Sequence, residues 1–271
     1  MAADALYNQS IPRPKDHYVR VVPKWTGHLY ELKKHLDTDM LLRVSDKLTS
    51  DVKSASWRAQ DEGNTILVDD NSYAVVVPLV LIDEEIFIVL TKRAGHMEAD
   101  PGHVAFPGGK LESGENFLAA ALRETYEEIG LDRKDIERTA FLGVFERPLS
   151  EAQRNPSGNT SKRTPDAAFT EDNSRLSVHG KQTIAAFMTL LKCLPDFKPN
   201  LSEVEKIFLL PLADLLEEDL AWDEIWSWPD GSKSEIHFFS EPKVLGRDLI
   251  WGLTARIVTE LLAVLVDCLE V

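Results

Sequence analysis

Between Phe106 and Leu131 the chain reads FPGGKLESGENFLAAALRETYEEIGL, and Glu124, Glu127 and Glu128 crowd two turns of its helical part. Like charges three and four positions apart on a helix repel one another, so the pattern is costly unless something outside the helix offsets it. On a helix over 116–129, Leu118, Leu122, Thr125 and Ile129 fall on one stripe that faces a core. The three glutamates fall on another face, and Arg123 lies one turn before Glu127, within reach of it. One side therefore packs while the other presents carboxylates. Clustered carboxylate oxygens suit hard divalent cations, Mg2+ or Mn2+, which take oxygen ligands. The PGGK run just upstream can bend tightly and bring backbone carbonyls close.

Composition narrows the partners. The chain has 271 residues, 44% of them hydrophobic, enough for a substantial core in one decorated domain or in one large and one small domain. Its 30 Lys and Arg stand against 45 Asp and Glu, a net charge of −15 that opposes the backbone of a nucleic-acid polymer. A small phosphorylated ligand is compatible with that field, because a divalent cation can bridge carboxylate and phosphate. Cys193 and Cys268 sit in apolar surroundings without zinc-like spacing and read as buried free thiols. The opening MAADALYNQSIPRPKDHYVR lacks the apolar core of a secretory signal, and no apolar run is long enough to span a bilayer. The final CLEV is neither a peroxisomal nor a prenylation tail. The expectation is a soluble intracellular protein, cytoplasmic by default with an organelle left open, and no membrane partner.

Along the chain, residues 1–20 read as a loose polar arm. Leu29, Leu32 and Leu36, then Met40, Val44, Leu48 and Val52, recur at helical spacing between Trp25 and Val52 and predict one or two helices. This divides the chain into an arm and helical extension over 1–65 and a main domain over 66–271. The extension is also a surface that could mediate a homodimer. DEGNT and VDDNS read as turns. YAVVVPLVLI and EIFIVLTKR, separated by Asp83-Glu84, predict two strands joined by a tight turn. GHVAF and TAFLGVFE are further strand candidates, and Gly130 is a helix stop.

Residues 147–182 are polar and rich in Pro, Gly, Asn and Ser, hence a disordered or functional loop. TIAAFMTLL resumes as a buried strand, and VEKIFLLPLADLLEE reads as a strand and a short Pro-initiated helix. DEIWSWPDGSKSEIHFF predicts a hairpin with Pro-Asp-Gly at its turn, and RDLIWGLTARIVTELLAVLVDCLE a long closing helix. Strands and helices mix without strict alternation, which predicts an α+β fold with a mixed sheet.

The acidic helix and the glycines before it resemble the Nudix box, G-x5-E-x7-R-E-U-x-E-E-x-G-U, with U a bulky aliphatic residue. Gly109, Glu115, Arg123, Glu124, Glu127, Glu128, Gly130 and Leu131 match, and Thr125 departs from the first U position. The resemblance implies a Nudix-type α/β/α sandwich and Mg2+- or Mn2+-dependent hydrolysis of a nucleoside diphosphate linked to another moiety. Carried over by position, Glu124, Glu127 and Glu128 would be metal ligands, and the Gly109 carbonyl could add another. Arg123 would orient the carboxylates. Glu115 would brace the loop or reach a metal through water.

Val89 to Gly109, VLTKRAGHMEADPGHVAFPGG, is similar to the signature beside the box in coenzyme A diphosphatases, L-L-T-x-R-S/A-x3-R-x3-G-x3-F-P-G-G. Leu90, Thr91, Arg93, Ala94, Gly102, Phe106, Pro107, Gly108 and Gly109 match in register, whereas Glu98 stands where that family has Arg. NLSEVEKIFLLPLADLL and IWGLTARIV resemble two further stretches of the subfamily. The implied substrate is coenzyme A or an acyl-coenzyme A, with ADP-ribose or NADH, or binding without cleavage, as alternatives.

Arg93, Lys92, His103 and Phe106 are the substrate-binding candidates, with His96 beside them. The base is a box glutamate, Glu127 or Glu128, or a distal one, Glu203 or Glu205, with His179 a remote candidate. Trp226, Trp228 and Phe238 either stack a nucleobase or pack the core.

Overall fold

Asp83 and Glu84, with φ of 49° and 67°, are both left-handed, the conformation a two-residue hairpin turn needs to match the twist of its strands. They join β2 (Ser72–Ile82) to β3 (Glu85–Arg93), the hairpin at the centre of a seven-stranded sheet. The structure, a computed structural model, describes residues 9, 11–21, 28–54, 71–148, 181–228 and 231–269. Trp25, the 61–65 turn, most of the 68–72 turn, residues 149–180 with His179, and the Pro229-Asp230 turn residues lie outside the described residues.

The sheet continues through β4 (Val104–Ala105), β6 (Ile136–Pro148), β7 (Lys181–Leu191) and β8 (Val204–Pro211), in the order β4-β3-β2-β7-β6. β8 pairs with β3, and the short β5 (Gly108–Lys110) pairs with β2. β2 runs parallel to β7 and antiparallel to β3, so the sheet is mixed. Strands buried on both faces read as continuous apolar runs, and β7 is buried from Gln182 to Leu191.

Helices cover both faces. α3 (Phe117–Ile129) packs on one side, where Phe117, Ala120 and Ala121 meet Ala74, Val76, Ala185 and Phe187. On the other side α2 (Thr38–Ser54), preceded by α1 (Leu29–Lys34), and the C-terminal α4 (Gly252–Asp267) share the largest core cluster with the sheet. α2 contributes Met40, Leu41, Val44 and Leu48, and α1 contributes Leu32. The N-terminal helices thus pack on the main sheet itself. The short Pro-initiated helix after β8 is a 3-10 helix over Leu212–Leu216, with Pro211 immediately before it.

A second, four-stranded sheet has the order β1-β9-β10-β11, from β1 (His17–Val21), β9 (Ala221–Ser227), β10 (Lys233–Ser240) and β11 (Leu249–Trp251). It corrects two expectations. The N-terminal arm is not loose throughout: His17–Val21 pairs with β9, and the Gln9 side-chain amide exchanges two hydrogen bonds with the Leu249 backbone, at 2.9 and 2.7 Å. The closing helix starts only at Gly252, because Leu249, Ile250 and Trp251 pair with Ser240, Phe239 and Phe238 of β10.

Trp226 and Phe238 are buried with Ile11 and Leu249 and pack this sheet's core, so neither is free to stack a base; Trp228 is partly exposed. Cys268 is buried, but Cys193 is exposed, just past the end of β7 where the chain leaves the sheet.

Candidate active site

α3 starts where Asn116 accepts a hydrogen bond from the Ala119 amide, 2.9 Å, and stops at Gly130, whose φ of 72° reverses the chain. The last turn is closed by a neighbouring loop: the Lys198 and Asn200 amides donate to the Ile129 and Glu128 carbonyls, both at 2.8 Å. That loop carries Glu203, whose carbonyl accepts from the Ala94 amide at 2.8 Å. Two segments far apart in sequence are thereby fixed at the end of the acidic helix.

The helix sits rotated from the expected stripe. Phe117, Ala120, Ala121, Thr125, Glu128 and Ile129 are its buried residues, while Leu118 and Leu122 are only partly buried. The three glutamates therefore do not share one environment: Glu128 is 5% exposed, Glu124 is half-buried and Glu127 is exposed. Glu128 Oε2 accepts the Gly108 N–H at 3.0 Å. Gly108 has a φ of 148°, and a Cβ there would run into the Ala74 carbonyl. At Gly109 a Cβ would collide with the Glu124 carboxylate, so the missing side chain is what lets that carboxylate lie against the backbone.

Arg123 organises the rest. Its guanidinium grips Glu115 with two bonds, 2.8 and 2.9 Å, and donates to the Lys110 carbonyl at 3.0 Å. It also pairs with Glu124 at 3.0 Å and with Glu127 at 3.2 Å. Glu115 in turn accepts the Glu112 amide at 2.9 Å, which closes the loop before α3.

Burial pushes the Glu128 carboxyl up to about 7, opposed by the Gly108 hydrogen bond and the Arg93 charge and reinforced by Glu124 and Glu203. Glu124 is also raised by burial, with Arg123 pulling down and Glu127 and Glu203 pushing up. Glu124, Glu128 and Glu203 are therefore electrostatic neighbours. All three line one cleft of about 750 Å3, within the range of small-molecule sites.

Among the sequence-predicted substrate residues, Arg93, His103 and Phe106 line this cleft together with the Gly109 backbone. Lys92 does not. Its ammonium is held by Glu205 at 3.1 Å and Asp248 at 3.3 Å, because alternate residues of a strand point to opposite faces. Both carboxylates keep Lys92 raised against the effect of burial. The same pairing removes Glu205 from the cleft and leaves Glu203 as the distal glutamate that faces it. His96 and Glu98 are exposed and do not line the cleft.

The sequence reading missed Asp100, Arg147, Trp251, Arg256 and His237, which also line it. His237 is oriented by the buried Asp223, 2.7 Å away, and Trp251 lies against the His103 ring with centroids 5.1 Å apart.

Among the described residues, no group of three or more His, Cys, Asp or Glu side chains converges as a metal-holding set. The donor chemistry nevertheless fits a hard cation. The donors are all oxygens, and burial penalises the charged forms of Glu124 and Glu128, a penalty that a cation relieves. Arg123 is the group that now engages Glu124 and Glu127.

Residues 72–226, more than half of the chain, match the NUDIX domain family, and this span contains the glycine turn, the glutamates and Glu203. The chain belongs to the Nudix family. Among curated Nudix relatives, peroxisomal coenzyme A diphosphatase ndx-8 of Caenorhabditis elegans is 30% identical over 66% of this chain and 60% of its own length. Peroxisomal coenzyme A diphosphatase NUDT7 of Mus musculus is 26% identical over 79% of this chain and 78% of its own. Nudix hydrolase 3 of C. elegans is 28% identical over 55% of this chain and 51% of its own. The alignments with Nudix hydrolase 3 and ndx-8 thus span about half and three fifths of those Nudix proteins.

Proposed function

We propose that this chain hydrolyses a nucleoside diphosphate linked to another moiety, with coenzyme A or an acyl-coenzyme A as substrate. The products would be 3′,5′-ADP and 4′-phosphopantetheine or its acyl form. The observation that carries the reading is the cleft in which Glu124, Glu128 and Glu203 stand beside the Gly108–Gly109 backbone. The likeness to two coenzyme A diphosphatases supports the choice of substrate.

In this reading Glu124, Glu127, Glu128 and the Gly109 carbonyl hold Mg2+ or Mn2+, and Glu115 acts through Arg123. A bound divalent ion neutralises the diphosphate, polarises phosphorus and lowers the pKa of a water. Arg123 holds Glu115, Glu124 and Glu127 in place. Glu203, on the loop that caps α3, takes the proton of the attacking water, with Glu127 as the competing base. Arg93 and His103 bind the anionic part of the substrate, and Phe106 packs beneath it.

Glu98 is acidic where the coenzyme A signature has Arg, a departure from that signature, and ADP-ribose or NADH is the second substrate class. A panel of coenzyme A, acetyl-coenzyme A, ADP-ribose and NADH with Mg2+ and with Mn2+ separates the two. Turnover of ADP-ribose with coenzyme A untouched would sink the first reading. Tight binding of either without turnover would make the protein a nucleotide-binding module.

A further inference from the structure

Arg147 is the last charged residue of β6, directly opposite Gln182 of β7. Its Nε donates to Gln182 Oε1 at 2.7 Å, and Gln182 is 2% exposed, so the acceptor is fixed inside the sheet. Its Nη1 donates to Asp100 Oδ2 at 2.6 Å. A long side chain held on two edges has lost most of its freedom before any ligand arrives, which is the arrangement of a preorganised anion receptor. The guanidinium is still about one third exposed, and it lines the cleft.

Asp100 is held for this contact at some cost. Its φ of 50° is left-handed, a region that residues other than glycine adopt less readily. Three bonds sustain the turn: His103 N–H to the Asp100 carbonyl at 3.3 Å, Gly102 N–H to the Arg93 carbonyl at 3.2 Å, and Arg93 Nε to the Ala99 carbonyl at 3.1 Å.

Around the one Asp100 carboxylate stand Arg147, the His103 ring at 4.0 Å, and Arg93 within electrostatic reach. Burial lowers the His103 pKa and favours its neutral ring, so the two guanidiniums of Arg93 and Arg147 stand against the one Asp100 carboxylate, a local positive excess inside a chain of net charge −15. Two further acids line the cleft: Glu146 is paired with Lys181 at 2.6 Å, and the exposed Glu235 is matched in number by the Arg256 guanidinium, which lines the same cleft.

Arg93 also interacts with Glu128, so it stands between the glutamates and the Asp100–Arg147 pair. The hydrogen-bond partners of Arg147 are Gln182 and Asp100, neither of them one of the glutamates. A simple bridge between β6 and the 94–103 loop would need neither the further cations nor the opening to the cleft.

We infer that Arg147 is a specificity-determining residue whose guanidinium binds a phosphomonoester on the nucleoside half of the substrate, apart from the diphosphate at the glutamates. A dianionic phosphate matches the clustered cations better than a carboxylate does, and the planar fork of Arg147 suits its oxygens. The inference rests on the cleft being a nucleoside-diphosphate site.

The test uses two ligands with no anhydride to cleave, adenosine 3′,5′-bisphosphate and adenosine 5′-monophosphate, titrated by calorimetry into the full chain at one Mg2+ concentration. The expected result is binding of the bisphosphate about tenfold tighter or more, the scale of a charged hydrogen bond. In Arg147→Gln that ratio should fall towards one. Equal affinities in the wild-type protein, or an unchanged ratio in the variant, would overturn the inference. If Arg147→Gln fails to fold, Arg147→Lys serves: it keeps the charge, loses the two-edged hold, and must lower the ratio, an unchanged ratio again overturning the inference. Turnover is read separately. A retained ratio effect without hydrolysis of any diphosphate defeats the catalytic reading and spares the subsite; hydrolysis without any preference does the reverse.

Discussion

The buried carboxylate of Glu128 accepts the N–H of Gly108 at 3.0 Å, joining the acidic helix to the glycine turn that precedes it by twenty positions in sequence. That bond fixes Glu128 in a place where burial disfavours its charge, and its carboxyl is pushed up to about 7 from 4.5.

A pH dependence follows for the metal-free protein. A folded-state pKa above the unfolded one means that the folded state binds the proton more tightly between about 4.5 and 7. The Glu128 contribution to stability therefore falls as pH rises through that window. Glu128→Gln removes this titration. In EDTA, the Tm difference of variant minus wild type should be larger at pH 8 than at pH 5. A difference independent of pH would contradict the assignment. By the same logic Mg2+ or Mn2+ should raise the wild-type Tm more at pH 8 than at pH 5, by mass action on the folded state.

The two adjacent glycines should fail differently. A Cβ at Gly108 meets the Ala74 backbone at a positive φ, so Gly108→Ala should destabilise the protein by about 1–3 kcal/mol, read by urea denaturation. At Gly109 the Cβ meets the Glu124 side chain, which can swing away. Gly109→Ala should keep most of its stability and lose turnover by tenfold or more. Matching losses of stability in the two variants would count against this geometry.

Arg123 is partly exposed, so its ion pairs contribute only modestly to stability, about 1 kcal/mol and a few degrees in Tm. Its main effect should be on turnover, because it orients Glu115, Glu124 and Glu127 together. Arg123→Lys keeps the charge and loses the forked grip on Glu115. A drop in kcat of about a hundredfold or more with a small Tm change is expected; the reverse pattern would make Arg123 a structural residue only.

Glu203 and Glu205 offer a paired comparison. Glu203 lines the cleft, whereas Glu205 is paired with Lys92 outside it. Glu203→Gln should lower kcat by orders of magnitude, and Glu205→Gln should leave kcat and KM within about twofold. Equal effects would place the base elsewhere, with Glu127 next in line.

Much of this site was readable because the residues that build it are close in sequence. The PGGK turn, the helix start at Asn116, Gly130 as its stop and the glutamate spacing are all local signals, and the fold realises them within one loop and one helix. What escaped reading depends on distant pairing. Asp100 and Arg147 meet only because β6 and the 94–103 loop end at the same side of the sheet, and in sequence Arg147 belongs to the polar run that follows it. β11 is three residues long and apolar, so helical periodicity absorbed it until β10 claimed its backbone. The helix turns a different face to the sheet from the one its leucine spacing predicts, because small Ala120 and Ala121, not the larger leucines, are what the close approach to the sheet admits.

The central claim is that this cleft cleaves a diphosphate in coenzyme A with a divalent cation. The most direct measurement is product analysis of the full chain incubated with coenzyme A, with Mg2+ and with EDTA. The account predicts 3′,5′-ADP and 4′-phosphopantetheine in equal amounts with Mg2+, and neither with EDTA. Coenzyme A left intact under Mg2+ and Mn2+, or the same products formed at the same rate in EDTA, would contradict it.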